Sequence, residues 1–191
     1  MKRRTIIAGL LGMAMLPGIG HAQSCGNDSI YKIPYKDTYV KQALVAENEF
    51  RVQQPKYVTL PTFAEAKEVL PKPIWAGHEE EINMYWRAWE IGVGNLRNPQ
   101  PGSGFIMPYI DTAYNGNIFM WDSSFILMFA RYGARFFPFQ NTLDNFYAKQ
   151  HPDGFICREI KADGADCFER YDPVSTGPNL IPWCEMVYFH Q

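Results

Sequence analysis

The chain has 191 residues and a formal charge of -2, which allows one domain with a sizeable core. A negative balance leaves no basic stripe of the kind a nucleic-acid surface needs, so no nucleic-acid partner is expected. Aromatic residues make up 15% of the chain. Their flat apolar faces suit a core or a sugar ring, and composition alone does not separate the two uses.

The N-terminus reads as a leader. Lys2, Arg3 and Arg4 precede an apolar run from Thr5 to Leu16, then Pro17, Gly18 and the small-residue exit "GHA". That is a signal-peptide layout over 1–22 with cleavage after Ala22, and the run is too short to span a membrane. "RRTII" also fits a twin-arginine leader, while Gln23 and Ser24 make a poor lipobox ahead of Cys25. Cleavage removes three cations and no acid, taking the charge from -2 to -5. The expected location is therefore exported, periplasmic or extracellular, with no membrane association after cleavage. Export makes Cys25, Cys157, Cys167 and Cys184 candidates for disulfides. Cys157 and Cys167 flank a Gly- and Asp-containing loop and form the favoured pair, with unpaired, partly buried cysteines as the alternative. No CxxC occurs, which argues against a zinc site; no cofactor is expected.

Residues 23–76 read as an irregular N-terminal arm carrying one short helix. Thr62 to Glu65 has the T-x-x-E form of a capping box, and "FAEAKEVL" continues from it until Pro71 and Pro73 end the helix. The first long helix is "GHEEEINMYWRAWEIGVGNL", whose three glutamates suit the positive end of a helix dipole. Ile82, Trp86, Trp89 and Val93 recur at helical spacing and predict its buried face. "HEEEI" resembles the opening of a zincin motif, but Ile82 stands where the second histidine is required, which excludes it.

"RNPQPGSG" is a loop. A second helix is expected from near Asp122 to about Phe136, apolar on nearly every side and so enclosed by other elements. Asp122 stands at its expected N-cap, with Trp121 just outside the helix. Two readings of Asp122 stand side by side, a cap and a ligand for substrate, and both hold if one carboxylate oxygen serves each. Tyr114, Asn115 and Asn117 supply a polar, aromatic loop beside it. A third helix follows through "FQNTLDNFYAKQ", with Phe139, Leu143, Phe146 and Tyr147 inward, then the turn "HPDG" and a short strand within "FICREI". There Asp153 and Gly154 form the turn, and Arg158 and Glu159 are either a surface pair or part of a polar rim. "PNLIPWCEMVYFHQ" predicts a final helix in which Trp183 is core or ligand platform.

Three segments taken in order, "NIFMWDSSF", "TLDNFYAKQHPDGFICREI" and "STGPNLIPWCEMVYF", carry a resemblance. They look like the opening part of the catalytic domain of glycoside hydrolase family 63 and its mannosylglycerate-hydrolase-like relatives. The resemblance covers residues 77–191. It implies a mainly α fold, part of an (α/α)6 toroid of six helical hairpins around a pocket, and cleavage of α-glycosidic bonds with inversion. It further implies that Trp121 and Asp122 line the subsite for the non-reducing sugar, with Phe125, Arg158, Glu159 and Trp183 as wall or supporting residues and carbohydrate as the partner.

Inversion needs two carboxyl groups about 6.5–9.5 Å apart. In the family both lie beyond the point that matches Trp183, so neither is carried over to a residue here. Helices of ordinary length allow residues 77–191 about four of the twelve helices, or about two hairpins. The expectation is an incomplete six-hairpin domain, the N-terminal fragment of an exported glycoside hydrolase. The alternatives are a non-catalytic secreted sugar-binding protein and a small exported helical protein whose aromatics are only core. A catalytic pair of Asp122 with Glu159 or Glu185 is disfavoured, since nothing in the sequence sets two carboxylates across a substrate.

Overall fold

The computed structural model describes residues 47–112, 115–169 and 179–190. The leader, Cys25 and Tyr114 lie outside these residues. Among the described residues the architecture is mainly α-helical, with several packed helices and two small antiparallel ladders. Among the described residues no helix is long and apolar enough to cross a membrane.

The described part of the arm is anchored to the body. After a 3-10 turn at Glu49–Val52, Lys56 N–H donates to Ile106 O at 2.8 Å. Asn98 then brackets Val58, accepting from its N–H at 3.0 Å and donating to its carbonyl at 2.9 Å. Helix α1 (Phe63–Val69) starts with the expected capping box: Thr62 Oγ1 accepts from Glu65 N–H, and the Glu65 carboxylate accepts from Thr62 N–H. These hydrogen bonds hold the Glu65 carboxyl below the usual carboxylate range. α1 plugs Ala66 into the core, with Leu70 following it.

Helix α2 (Glu79–Gly94) carries its three glutamates in the first turn. Trp89 and Val93 are buried and Ile82 and Trp86 half-buried, as the spacing predicts. Strand β1 (Leu96–Arg97) pairs with β2 (Tyr109–Ile110), Leu96 facing Ile110 and Arg97 facing Tyr109. Arg97 Nε lies 3.0 Å from the Oδ2 of the fully buried Asp111. Burial, and secondarily the Asp111 charge, pushes the Tyr109 phenol up to about 12; its hydroxyl donates to Gly116 O at 2.8 Å.

Strand β3 (Ile118–Phe119) runs straight into helix α3 (Met120–Ala130) and pairs with β4 (Glu159–Ile160). α3 tightens into a 3-10 turn at Arg131–Gly133, well short of the expected end near Phe136. A second 3-10 turn at Phe139–Asn141 leads into α4 (Thr142–Ala148), where Leu143 and Phe146 are buried and Tyr147 is half-buried. On the inner face of α4 the buried Asn145 side chain makes three hydrogen bonds. Its Oδ1 accepts from Ile106 N–H and Met107 N–H, and its Nδ2 donates to Met107 O at 3.0 Å. The loop before β2 is thereby fixed to α4, a return for burying an amide that apolar residues do not supply. Helix α5 (Ile181–Phe189) packs on α3. Phe105, Ile118, Leu127, Phe137, Phe139 and Phe146 fill the core between these elements.

Two expectations are corrected. The second helix is not enclosed. Its buried side carries Met120, Ser123, Ser124, Leu127 and Ala130, while Trp121, Phe125 and Phe129 face outward. Small residues point inward because α5 comes close. Ser124 satisfies its own hydroxyl by donating to Met120 O at 2.7 Å, and Cys184 Sγ meets Ser124 O at 3.7 Å. The favoured Cys157–Cys167 disulfide is also not formed: Cys157, Cys167 and Cys184 are free thiols. The Cys157 thiol instead meets the carbonyls of Glu159 at 3.1 Å and Phe168 at 3.8 Å. Burial pushes the Cys157 thiol up and the Cys167 thiol to about 12, the latter also facing the Glu159 carboxylate.

Candidate functional site

The residues singled out in the sequence meet where β3 becomes α3. Phe119 pairs with Glu159, and Met120 N–H donates to Arg158 O at 2.8 Å. The carbonyl of the residue just before β4 thus takes one of the donors that an N-cap side chain would otherwise satisfy. α3 accordingly begins at Met120, after Phe119, with no side-chain cap. The capping role expected of Asp122 is corrected: it lies inside the first turn, exposed, where its charge still suits the helix dipole. Trp121 lies within the helix as well, one residue after its start.

Trp121, Phe125 and Trp183 form a connected row of rings. The Trp121 and Phe125 centroids are 5.3 Å apart, and Phe125 and Trp183 are 6.0 Å apart, both pairs tilted. They remain 48%, 45% and 39% exposed, so the row offers apolar ring surface to solvent beside a free-standing carboxylate. Pro182 in the first turn of α5 helps set Trp183 in place, because its fixed φ suits a helix start.

The polar members of the set behave differently. Glu159 is half-buried on β4, and its Oε1 accepts from Asn117 Nδ2 at 2.9 Å. Asn117 in turn accepts from Ala162 N–H at 3.3 Å, while its own N–H donates to Asn115 Oδ1 at 3.0 Å. The Arg158 guanidinium lies over the Phe168 ring, 3.8 Å from its centroid. Arg158 immediately precedes β4 and Glu159 is its first residue; Arg158 meets Phe168 in the segment beyond β4, and Glu159 meets Asn117 in the loop before β3. Asp153 forms the expected turn, accepting from Phe155 N–H at 3.1 Å with Gly154 at φ 95°. The structure therefore brings Trp121, Phe125 and Trp183 together beside Asp122, whereas the side chains of Arg158 and Glu159 are engaged elsewhere, with Phe168 and with Asn117.

The chain was compared with family models, with curated proteins and with solved structures, and none of them matches. Among the described residues, no group of three or more His, Cys, Asp or Glu side chains is placed to hold a metal ion.

Several functional-looking features escape sequence reasoning. His151 Nε2 and Asp166 Oδ2 lie 2.7 Å apart, both buried. Glu185 on α5 accepts from Gln140 Nε2 at 2.6 Å and from the Tyr147 hydroxyl at 3.1 Å. Next to it, burial and then the Glu185 charge raise the Asp144 carboxyl to about 6, against a smaller opposing pull from Lys56. The Tyr147 phenol is raised as well, by burial first and by Glu185 second. Nothing in residue spacing links α4 to α5, so this cluster has no sequence signal. The aromatic row had one: Trp121, Phe125 and Phe129 follow at steps of four.

Proposed function

We propose that this chain is the sugar-holding part of an exported glycoside hydrolase of the six-hairpin (α/α)6 type, acting on α-glycosidic bonds by inversion. In this reading Trp121, Phe125 and Trp183 take the apolar face of a pyranose ring and Asp122 accepts hydrogen bonds from its hydroxyls. The observation that supports it is the exposed, connected ring row standing beside an exposed carboxylate on the same helix turn. An aromatic face and a charged acceptor suit the two sides of a sugar, one apolar and one hydroxylated. No residue of the chain is assigned as the general acid or base.

A second reading, sugar binding without catalysis, is favoured by the state of Glu159. Its carboxylate is engaged by Asn117 and by the Cys167 thiol, which leaves Asp122 as the open acid of the set, and inversion requires two. The test is titration calorimetry of methyl α-D-glucoside and methyl α-D-mannoside against the wild type, Asp122→Ala and Trp121→Ala, with a release assay on the matching nitrophenyl glycosides. Binding that both variants abolish, with turnover, supports the hydrolase. The same binding without turnover fits both readings of a chain with no assigned acid and base, and the intact mass of the native secreted protein then separates them, a much larger protein favouring the hydrolase. Binding that neither variant weakens overturns both.

A further inference from the structure

The ring row does not stop at Phe125. Phe129 follows one helical step later and Tyr132 stands in the 3-10 turn beyond, 38% and 55% exposed. Positions four apart stack along one helix face, so the stripe runs from Trp121 to Phe129 over about 12 Å. Its far end opens into a cavity of about 260 Å³ lined by Pro71, Tyr85, Ala88, Trp89, Phe129 and Tyr132. Rings meet at steep angles around it: Tyr85 and Trp89 at 74°, Trp89 and Phe129 at 78°.

The chemistry of this cavity is one-sided. Its two phenols already have partners, Tyr85 donating to Pro71 O at 2.6 Å and Tyr132 accepting from Arg131 Nη2 at 3.3 Å. No carboxylate or ammonium lines it. A hydroxylated or charged group entering it would lose water and meet few hydrogen-bonding partners, the two phenols being partly engaged already, whereas an alkyl or aryl group would gain from burial. The sugar platform at the other end of the stripe has the opposite character, with Asp122 in solvent.

We propose that the cavity takes the apolar aglycone of an amphiphilic glycoside, an alkyl or aryl group whose sugar rests on Trp121, Phe125 and Trp183. This rests on the carbohydrate reading above, and it adds the substrate class. Phe129 stands one helical step beyond Phe125 on the same face and itself lines the cavity, so an aglycone leaving the sugar at Phe125 would pass Phe129 to enter it.

The test compares n-octyl with methyl α-D-glucoside, and with the matching mannosides, below the micelle-forming concentration of the octyl compounds; hexan-1-ol serves as the sugar-free probe. Titration calorimetry is run on the wild type and the two cavity variants, Ala88→Trp and Tyr132→Ala, with Trp121→Ala added for the octyl glycosides and circular dichroism to check that each protein folds. Ala88 is an exposed position on α2, so an indole there fills the cavity from outside. Burying even two methylene groups should tighten binding by roughly tenfold. The octyl glycoside is expected to bind at least that much more tightly than the methyl glycoside. Both variants should erase the difference while leaving the methyl glycoside unchanged. An octyl advantage that survives in both variants, or no advantage at all, overturns the aglycone site while leaving the sugar platform standing. Hexan-1-ol binding that both variants weaken, together with octyl glycoside binding that Trp121→Ala does not change, overturns the sugar platform and with it the aglycone assignment.

Discussion

Met120 N–H donates to Arg158 O at 2.8 Å across the junction of β3 and β4. The helix bearing the candidate site is therefore started by a residue almost forty positions downstream and not by a side chain of its own. That frees Asp122 for other work.

A side-chain cap contributes about 1 kcal/mol, and up to about 2, whereas a carboxylate within an exposed first turn contributes about 0.3–1 through the dipole. Asp122→Ala should lower unfolding stability by less than 1 kcal/mol in a urea titration. A loss of 2 kcal/mol would mean that Asp122 caps α3 after all.

Thr62→Ala is the contrast. Its hydroxyl and the Glu65 carboxylate satisfy each other's backbone donors at the start of α1, and the same titration should show a loss of about 1 kcal/mol. The loss should appear with the fold intact, because Thr62 is not a core residue.

Gly164 has no room for a side chain. It adopts φ +87°, and a Cβ there would fall 1.8 Å from Ser103 O. Gly164→Ala should destabilise by roughly 3 kcal/mol or more, since it combines a strained left-handed alanine with a backbone collision. Gly102, at φ +77° with nothing within 4 Å, supplies the control, and Gly102→Ala should lose only about 1 kcal/mol. Thermal melts of the two variants side by side would check the difference.

Asp144 sets a pH dependence. Its folded carboxyl titrates at about 6 against an ordinary 3.8, chiefly through burial and then through the Glu185 charge. A carboxyl raised in the folded state binds its proton more tightly there than in the unfolded chain. Its stabilising contribution is complete below pH 3.8 and is lost as pH climbs through about 6. The group is only partly buried, so the amplitude should be about 1 kcal/mol after solvent screening. Asp144→Asn should flatten the fall in melting temperature between pH 4 and 7 relative to the wild type. An unchanged slope would remove Asp144 as its source.

Much of this fold is legible in the sequence where the signal is local. The Thr62–Glu65 box, the face of α2 through Trp89 and Val93, the inward Leu143 and Phe146 of α4, and α5 itself all follow from spacing and capping chemistry. The candidate site is less legible because its determinants are distant. The two-residue strands β3 and β4 are too short to show an alternation, yet their pairing decides where α3 begins. An apolar helix reads as an enclosed one, and only the packed α5 reveals that Ser123, Ser124 and Ala130 point inward while the large rings do not. The cysteine spacing around Gly164 suggested a bridge, whereas the Cys157 thiol is directed at backbone carbonyls.

The arrangement of large rings outside and small residues inside also sorts the tryptophans. Trp89 is 3% exposed while Trp121 and Trp183 stand half in water. A dissolved quencher such as iodide should reach the outer indoles and spare the inner one. Light emitted by the shielded indole then follows unfolding, and light from Trp121 and Trp183 follows anything that settles on the stripe once the exposed Trp75 and half-buried Trp86 are replaced by phenylalanine.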